Sequence, residues 1–224
     1  MPKKIFLDIE TLPADEKRWS EIESDIRDDI ASRYKKSDTI QQKQEEAFRK
    51  TSLSGEFGRV LCIGLVIDED SREKRTVLGW DDTAKRFTSD EVRTLREWWD
   101  LLKDFDPSAD LLIGHNILNF DLRFIYQRSV VNKIRPTVDL NFRRYQSYPI
   151  FDTMHEWTKW NTQESISLDR LALVLGLQSS KTDEISGDKV YDHYLKGNHL
   201  LICGYCLADV VLTREIYYRM TFAK

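Results

Sequence analysis

The sequence predicts an α/β fold in which a mixed sheet is flanked by helices. Three observations carry this. Apolar, β-branched runs of strand length open the chain and recur near residue 60, strand and helix signals alternate through the middle, and the last third reads as helix. With 224 residues and 41% hydrophobic content, the chain can bury one substantial core, so residues 1–224 are expected to form a single domain.

The first strand spans residues 3 to 11 and contains Ile5-Phe6-Leu7-Asp8-Ile9-Glu10-Thr11. Successive side chains on a strand point to opposite faces, so Asp8 and Glu10 share one. Two neighbouring carboxylates repel each other. A hard divalent cation held by their oxygens relieves that repulsion, and the bland alternative is a strand end with solvated acids.

Residues 14 to 50 are densely charged and form a helical insertion after this strand. Trp19, Ile22, Ile26, Ile30 and Tyr34 recur at spacings of three or four, one narrow apolar stripe, and the expected break between two helices lies near Ser37-Asp38. The insertion leaves the first strand just after Glu10, so it starts beside the acids. A wall or lid over a cleft suits that position, with remote packing or contact to a second copy as the alternatives. Its bases are matched by acids, which argues against a strong phosphate clamp.

Gly55 to Gly58 form a turn, and Arg59–Ile67 is a strand whose near-continuous apolarity suits a central position. A turn at Asp68–Arg72 leads into a third strand, Lys74–Trp80. Thr88 and Glu91 fit a capping box, opening a helix to about Phe105 that buries Val92, Leu95, Trp98 or Trp99, and Leu102. Leu111–His115 is a short strand, Asp121–Val131 a helix and Ile150–Thr153 a last strand. Helices over Ser167–Leu175, Gly187–Leu195 and Asn198–Met220 complete the chain.

Composition sets further bounds. A net charge of −4 gives no global basic field for nucleic acid, although bound cations would offset local acidity. Cys62, Cys203 and Cys206 cannot make a disulfide framework, and Cys203-Gly-Tyr-Cys206 lacks the second pair a zinc site needs. No signal peptide or run of membrane length is read, so a cytoplasmic location and no membrane partner are expected.

Two further acids matter. Asp121 follows a buried strand in Asn116-Ile-Leu-Asn-Phe120-Asp121 and opens a helix, where an isolated Asp commonly serves the helix N-terminus. Tyr205 and Asp209 stand four apart and share a helix face; a core tyrosine beside an exposed acid is the alternative.

In order, Asp-x-Glu on the first strand, Asn-x₃-Phe-Asp after a later one and Tyr-x₃-Asp on the last helix resemble the DEDD superfamily of 3′–5′ exonucleases, tyrosine branch. FLDIET, IGHNILNFDL, IFDT, SLDRLALVLGL and YCLADVVLTREIY are similar to stand-alone bacterial exonucleases related to the proofreading domain of family B DNA polymerases. The resemblance covers most of the chain outside the insertion. It implies a ribonuclease H-like fold with a five-stranded mixed sheet and a central first strand. It also implies that Asp8 bridges two Mg²⁺ or Mn²⁺ ions, Glu10 and Asp209 hold one, Asp121 holds the other, and Tyr205 orients or helps deprotonate the attacking water. Thr11, Leu12, Asn116 and Phe120 are implied to contact substrate or shape its pocket. Histidine members place a base five residues before the last aspartate, where this chain has Gly204. His115 is read as a satisfied loop or strand-end residue, His155 and His193 as surface, and Trp157 and Trp160 as core.

The implied partner is nucleic acid with a free 3′ end, single-stranded DNA above all. An exoribonuclease, a small-nucleotide phosphodiesterase and an inactive binding module remain alternatives. Between Leu122 and Tyr148, Arg123, Arg128, Lys133, Arg135, Arg143 and Arg144 face a single acid, Asp139, with Phe124, Tyr126, Phe142, Tyr145 and Tyr148 interleaved. Bases tracking phosphates while rings stack on nucleobases is one reading of this window, and a solvated helix face over its core residues is the other.

Overall fold

In a computed structural model that describes residues 2–32, 39–180 and 184–223, the sheet is organised around the first strand. The elements are β1 (Lys4–Leu12), α1 (Glu16–Ser20), α2 (Ser24–Ser32), α3 (Ile40–Lys50), β2 (Arg59–Glu69), β3 (Arg72–Leu78), β4 (Trp80–Asp81) and β5 (Arg86–Phe87). There follow α4 (Glu91–Leu101), β6 (Leu111–Gly114), α5 (Asp121–Val131), β7 (Ile150–Asp152), α6 (Thr153–Thr158), α7 (Leu168–Leu175), α8 (Val190–Leu195) and α9 (His199–Met220). The main sheet has five strands in the order β3-β2-β1-β6-β7, so β1 is central. It is mixed: β2 is antiparallel to β1 and β3, while β6 is parallel to β1 and β7.

The two faces of β1 follow the period of the strand. Ile5, Leu7 and Ile9 join a core with Leu95, Trp98, Phe124 and Ile125 of α4 and α5. Phe6 packs instead with Val210, Tyr217 and Tyr218 of α9, and Leu12 with Tyr205 and Cys206. Asp8 and Glu10 alternate with the first set, so they stand on the α9 side. Gly64, paired with Asp8 across the ladder, permits the close approach of that helix. A Cβ there would lie 2.6 Å from Cys206 Sγ and 3.2 Å from Val210 Cγ2.

The insertion differs from expectation. Ser37-Asp38, where the break was expected, and Tyr34 lie outside the described residues, which contain three helices here. Trp19 docks, packing on Phe48 and Phe57 at ring-centroid distances of 6.0 and 6.3 Å. The rest of the stripe is shallow, with Ile26 46% exposed, and α2 packs on α3. The real anchor lies at the C-terminal end of α3, where Ala47 and Phe48 are buried and Phe48 meets Tyr191 of α8 edge to face. Arg49 donates to Asp192 Oδ1 at 2.8 Å and lies over the Tyr191 ring.

At α4 the cap is Asp90, whose carboxylate accepts from Arg93 N at 3.0 Å, not Thr88. Glu91 is drawn elsewhere. It accepts from Val60 N at 2.8 Å and forms a two-pronged ion pair with buried Arg128 at 2.9 and 2.8 Å. Val92 is half-buried, while Trp98 and Trp99 are both buried.

Candidate active site

Three elements converge at the end of β1. The strand supplies Asp8 and Glu10, the first residue of α5 supplies Asp121, and α9 supplies Tyr205 and Asp209. Asp121 is 2% exposed and caps no helix; the cap position is Phe120. Its Oδ1 accepts from Ile9 N at 3.1 Å, tying the start of α5 to β1 midway between the two strand acids. Tyr205 hydrogen-bonds Asp209 one helical turn away, as the spacing of four allows.

Burial and mutual repulsion dominate the electrostatics. The Asp8 carboxyl is pushed well above the usual carboxylate range by burial and then by Asp121, Asp209 and Glu10. Glu10 is raised by burial, Cys62, Asp209 and Asp121, and burial lifts Asp121 to about 8. Among the described residues no basic side chain forms an ion pair with Asp8, Glu10 or Asp121. The Tyr205 hydroxyl is pushed far upward by burial and the neighbouring carboxylates, so it stays a neutral hydrogen-bond donor at physiological pH.

Asp8, Glu10 and Asp121 fit hard divalent cations, being carboxylates drawn from water with no basic ion-pair partner among the described residues. Donor atoms of Asp8, Glu10 and Cys206 lie within 4.8 Å of one another. The sequence does not place Cys206 at this site, since its CxxC spacing speaks only to zinc or redox chemistry. Its thiol is raised by a hydrogen bond with Cys62 and by burial, so it remains a protonated sulfur beneath a carboxylate site.

A cleft of about 490 Å³ opens over Asp8, Glu10 and Asp209, while buried Asp121 is absent from its lining. Thr11 and Phe120 line it as expected residues, alongside Asp8, Glu10, Tyr205 and Asp209. The Thr11 hydroxyl donates to Ser52 O at 2.7 Å, joining β1 to the end of the insertion. Leu12 does not reach the cleft. It is 3% exposed and packed in the core with Leu61 and Cys62, because the ladder register shifts between Glu10 and Thr11 and the alternation that Asp8 and Glu10 share does not carry through to Leu12. Asn116 is also absent from the lining; its Oδ1 accepts from Asn119 Nδ2 and its N–H donates to Asp152. The opposite wall was not read residue by residue. Glu46, Arg49 and Lys50 of α3, with Ser52 and Leu53 just after it, line the cleft. The one available signal was the departure of the insertion beside Glu10.

The histidines take structural positions. His115 bonds Thr153 Oγ1 at 2.9 Å and Ile166 O at 2.8 Å, a satisfied residue as read. His155 and His193 are half-buried instead of surface, each with hydrogen-bond partners. Trp160 packs against the core, whereas Trp157 is 40% exposed and is no core residue.

Residues 50–224 match the family described as predicted 3'-5' exonuclease related to the exonuclease domain of PolB. No curated protein matches the chain. The fold is similar to a family B DNA polymerase from the hyperthermophilic archaeon Pyrobaculum calidifontis, with a TM-score of 0.60, 17% identity and 99% of this chain covered. The chain spans about a quarter of that polymerase (25%), and its own mixed five-stranded sheet flanked by helices is the ribonuclease H-like arrangement. On the family match, the chain belongs to the predicted 3'-5' exonucleases related to the exonuclease domain of PolB.

Proposed function

We propose that this protein is a tyrosine-branch DEDD exonuclease that hydrolyses single-stranded nucleic acid, DNA in preference, from the 3′ end and releases nucleoside 5′-monophosphates. The observation that carries the reading is the gathering of Asp8, Glu10, Asp121 and Asp209 at the end of the central strand, where burial and mutual repulsion raise the strand acids and burial raises Asp121. Such a cluster is stable in its charged form only with cations among the oxygens.

Asp8 would be shared between two Mg²⁺ or Mn²⁺ ions, with Glu10 and Asp209 completing one and Asp121 the other. Bound there, the ions would supply Lewis-acid stabilisation of the attacking and leaving oxygens of an in-line displacement. The rest falls to side chains of this chain. The neutral Tyr205 hydroxyl orients the attacking water by hydrogen bonding, since a group held that far above neutrality is a poor base. Thr11 and Phe120 line the space in which the terminal nucleotide would sit. Lys50 offers positive charge on the facing wall, where Arg49 is held by Asp192 and Glu45.

The test is degradation of end-labelled single strands, DNA and RNA in parallel, by parent protein and Asp8→Ala, with Mn²⁺ or with EDTA. Stepwise loss of DNA is expected only from the parent with cation. Equal degradation in EDTA, or by the variant, would remove the metal assignment.

A further inference from the structure

A second cleft, about 970 Å³, lies between α5 and the segment running through residues 139–165. Its contents are unusual for a solvent-facing surface. Tyr145 is 68% exposed, Tyr126 48% and Phe142 37%. Tyr145 lies 5.4 Å from Trp160, and Trp160 is stacked flat on His155 at 4.7 Å. Tyr145 and Trp160 both have left-handed backbone, with φ of 64° and 63°, a conformation that bulky side chains rarely adopt. Two strained residues thus present their rings to one groove. Arg123 and Arg144 line it too and form no ion pair among the described residues. Asp139 and Glu164 also line it, so the groove is not a plain cation patch.

We propose that this cleft holds the bases of a single strand on the 5′ side of the nucleotide being removed. Aromatic faces tolerate every base and guanidinium groups meet the backbone between them. The amide side chains of Asn119 and Gln127 stand in the same lining and suit heterocycle edges more than an apolar protein face. Continuity with the acidic site supports the same occupant: Phe120 lines the acidic cleft and the adjacent Asn119 lines this one. A strand crossing that loop leaves one groove and enters the other. Of the basic window, Arg128 and Phe124 are excluded, one buried in its ion pair with Glu91 and the other in the core.

The inference rests on the proposed exonuclease reading for its polarity but not for its test. Binding of fluorescent single-stranded oligodeoxynucleotides of increasing length is measured by anisotropy in EDTA, where hydrolysis plays no part. Parent protein is expected to bind more tightly as length grows. Tyr145→Ala and Arg144→Ala should each weaken binding of the longer strands by about five- to tenfold, the scale of one stacked base or one lost contact. Tyr145→Phe, which keeps the ring, should restore it, separating stacking from misfolding. Equal affinity of parent and both alanine variants at every length would overturn the proposal. So would failure of Tyr145→Phe to restore binding, or a parent that binds no single strand but self-associates through Tyr145. A parent that binds in this way yet hydrolyses nothing would sink the exonuclease reading and leave the cleft assignment standing.

Discussion

Phe120 lines one cleft and Asn119 the other, so two adjacent residues divide two chemistries. On one side, Glu10, Asp121 and Asp209 are each less than a tenth exposed, on a strand and two helices fixed by the core. On the other, rings and guanidinium groups stand in water on α5 and on the segment through residues 139–165. The acidic side is preorganised at the cost of repulsion, which suits a task that depends on fixed positions. The aromatic side is tolerant, which suits grip on a strand of any sequence.

The sharpest break of this comparison comes from the acids. Asp8→Ala or Asp209→Ala should abolish hydrolysis while thermal denaturation stays level or shifts upward, because removing one acid relieves the others. An assay under saturating cation checks the first half and a melting curve the second; a large loss of stability would mean the acids serve the fold. Tyr205→Phe should act less severely, slowing turnover by about ten- to a hundredfold, the range of one hydrogen bond at a charged site. Direct Mn²⁺ titration should show cation binding retained in that variant, and turnover equal to the parent would leave Tyr205 as a core residue.

The metal-free protein should also report the strain of its acids through pH. An unfolded Asp titrates near 3.9, whereas folded Asp121 titrates at about 8 with Asp8 and Glu10 also raised. The folded state therefore holds protons the unfolded chain has released. That contribution to stability is fully present below about pH 4 and is lost as pH rises toward 8. Melting temperature in EDTA should fall across that window, Asp121→Asn should flatten the fall, and added Mn²⁺ should oppose it. A parent whose EDTA profile is flat would contradict the burial of ionisable acids.

The smallest effect concerns the insertion. Replacing residues 15–50 with a Gly-Ser linker removes buried Ala47 and Phe48, so a loss of about 2–4 kcal/mol in stability is expected. Because the wall of Glu46, Arg49 and Lys50 goes with it, the preference between single- and double-stranded ends should change. Comparing the two substrates with the folded variant checks this, and an unchanged preference would reduce the wall to a support.

Local patterns were the legible part of the molecule. Asp121–Val131 emerges as a helix with the bounds read from its sequence, and Ser167 and Gly176 cap the helix between them as their types require. Asp8 and Glu10 share a face because strand period is a local property. What escaped depended on distant partners. Glu91 fits a capping box in sequence, yet Arg128 and Val60 claim its carboxylate across the fold. Arg128 reads as one more cation in a basic window until that pairing buries it. Leu12 follows the motif in sequence, but a register shift between Glu10 and Thr11 breaks the strand's alternation and leaves Leu12 in the core. The wall built by α3 depends on Phe48 and Arg49 finding Tyr191 and Asp192, a contact between chain segments with no shared periodicity.

The central claim, that the four acids serve a reaction beginning at a 3′ terminus, is tested most directly by end polarity. A 5′-labelled single-stranded oligodeoxynucleotide with a free 3′ hydroxyl is compared with the same strand blocked at its 3′ end and with a circular strand, each with Mn²⁺. The open strand should shorten one nucleotide at a time with release of nucleoside 5′-monophosphate, while the blocked and circular strands persist. Loss of all three at equal rates would contradict the account and make the cleft that of an endonuclease.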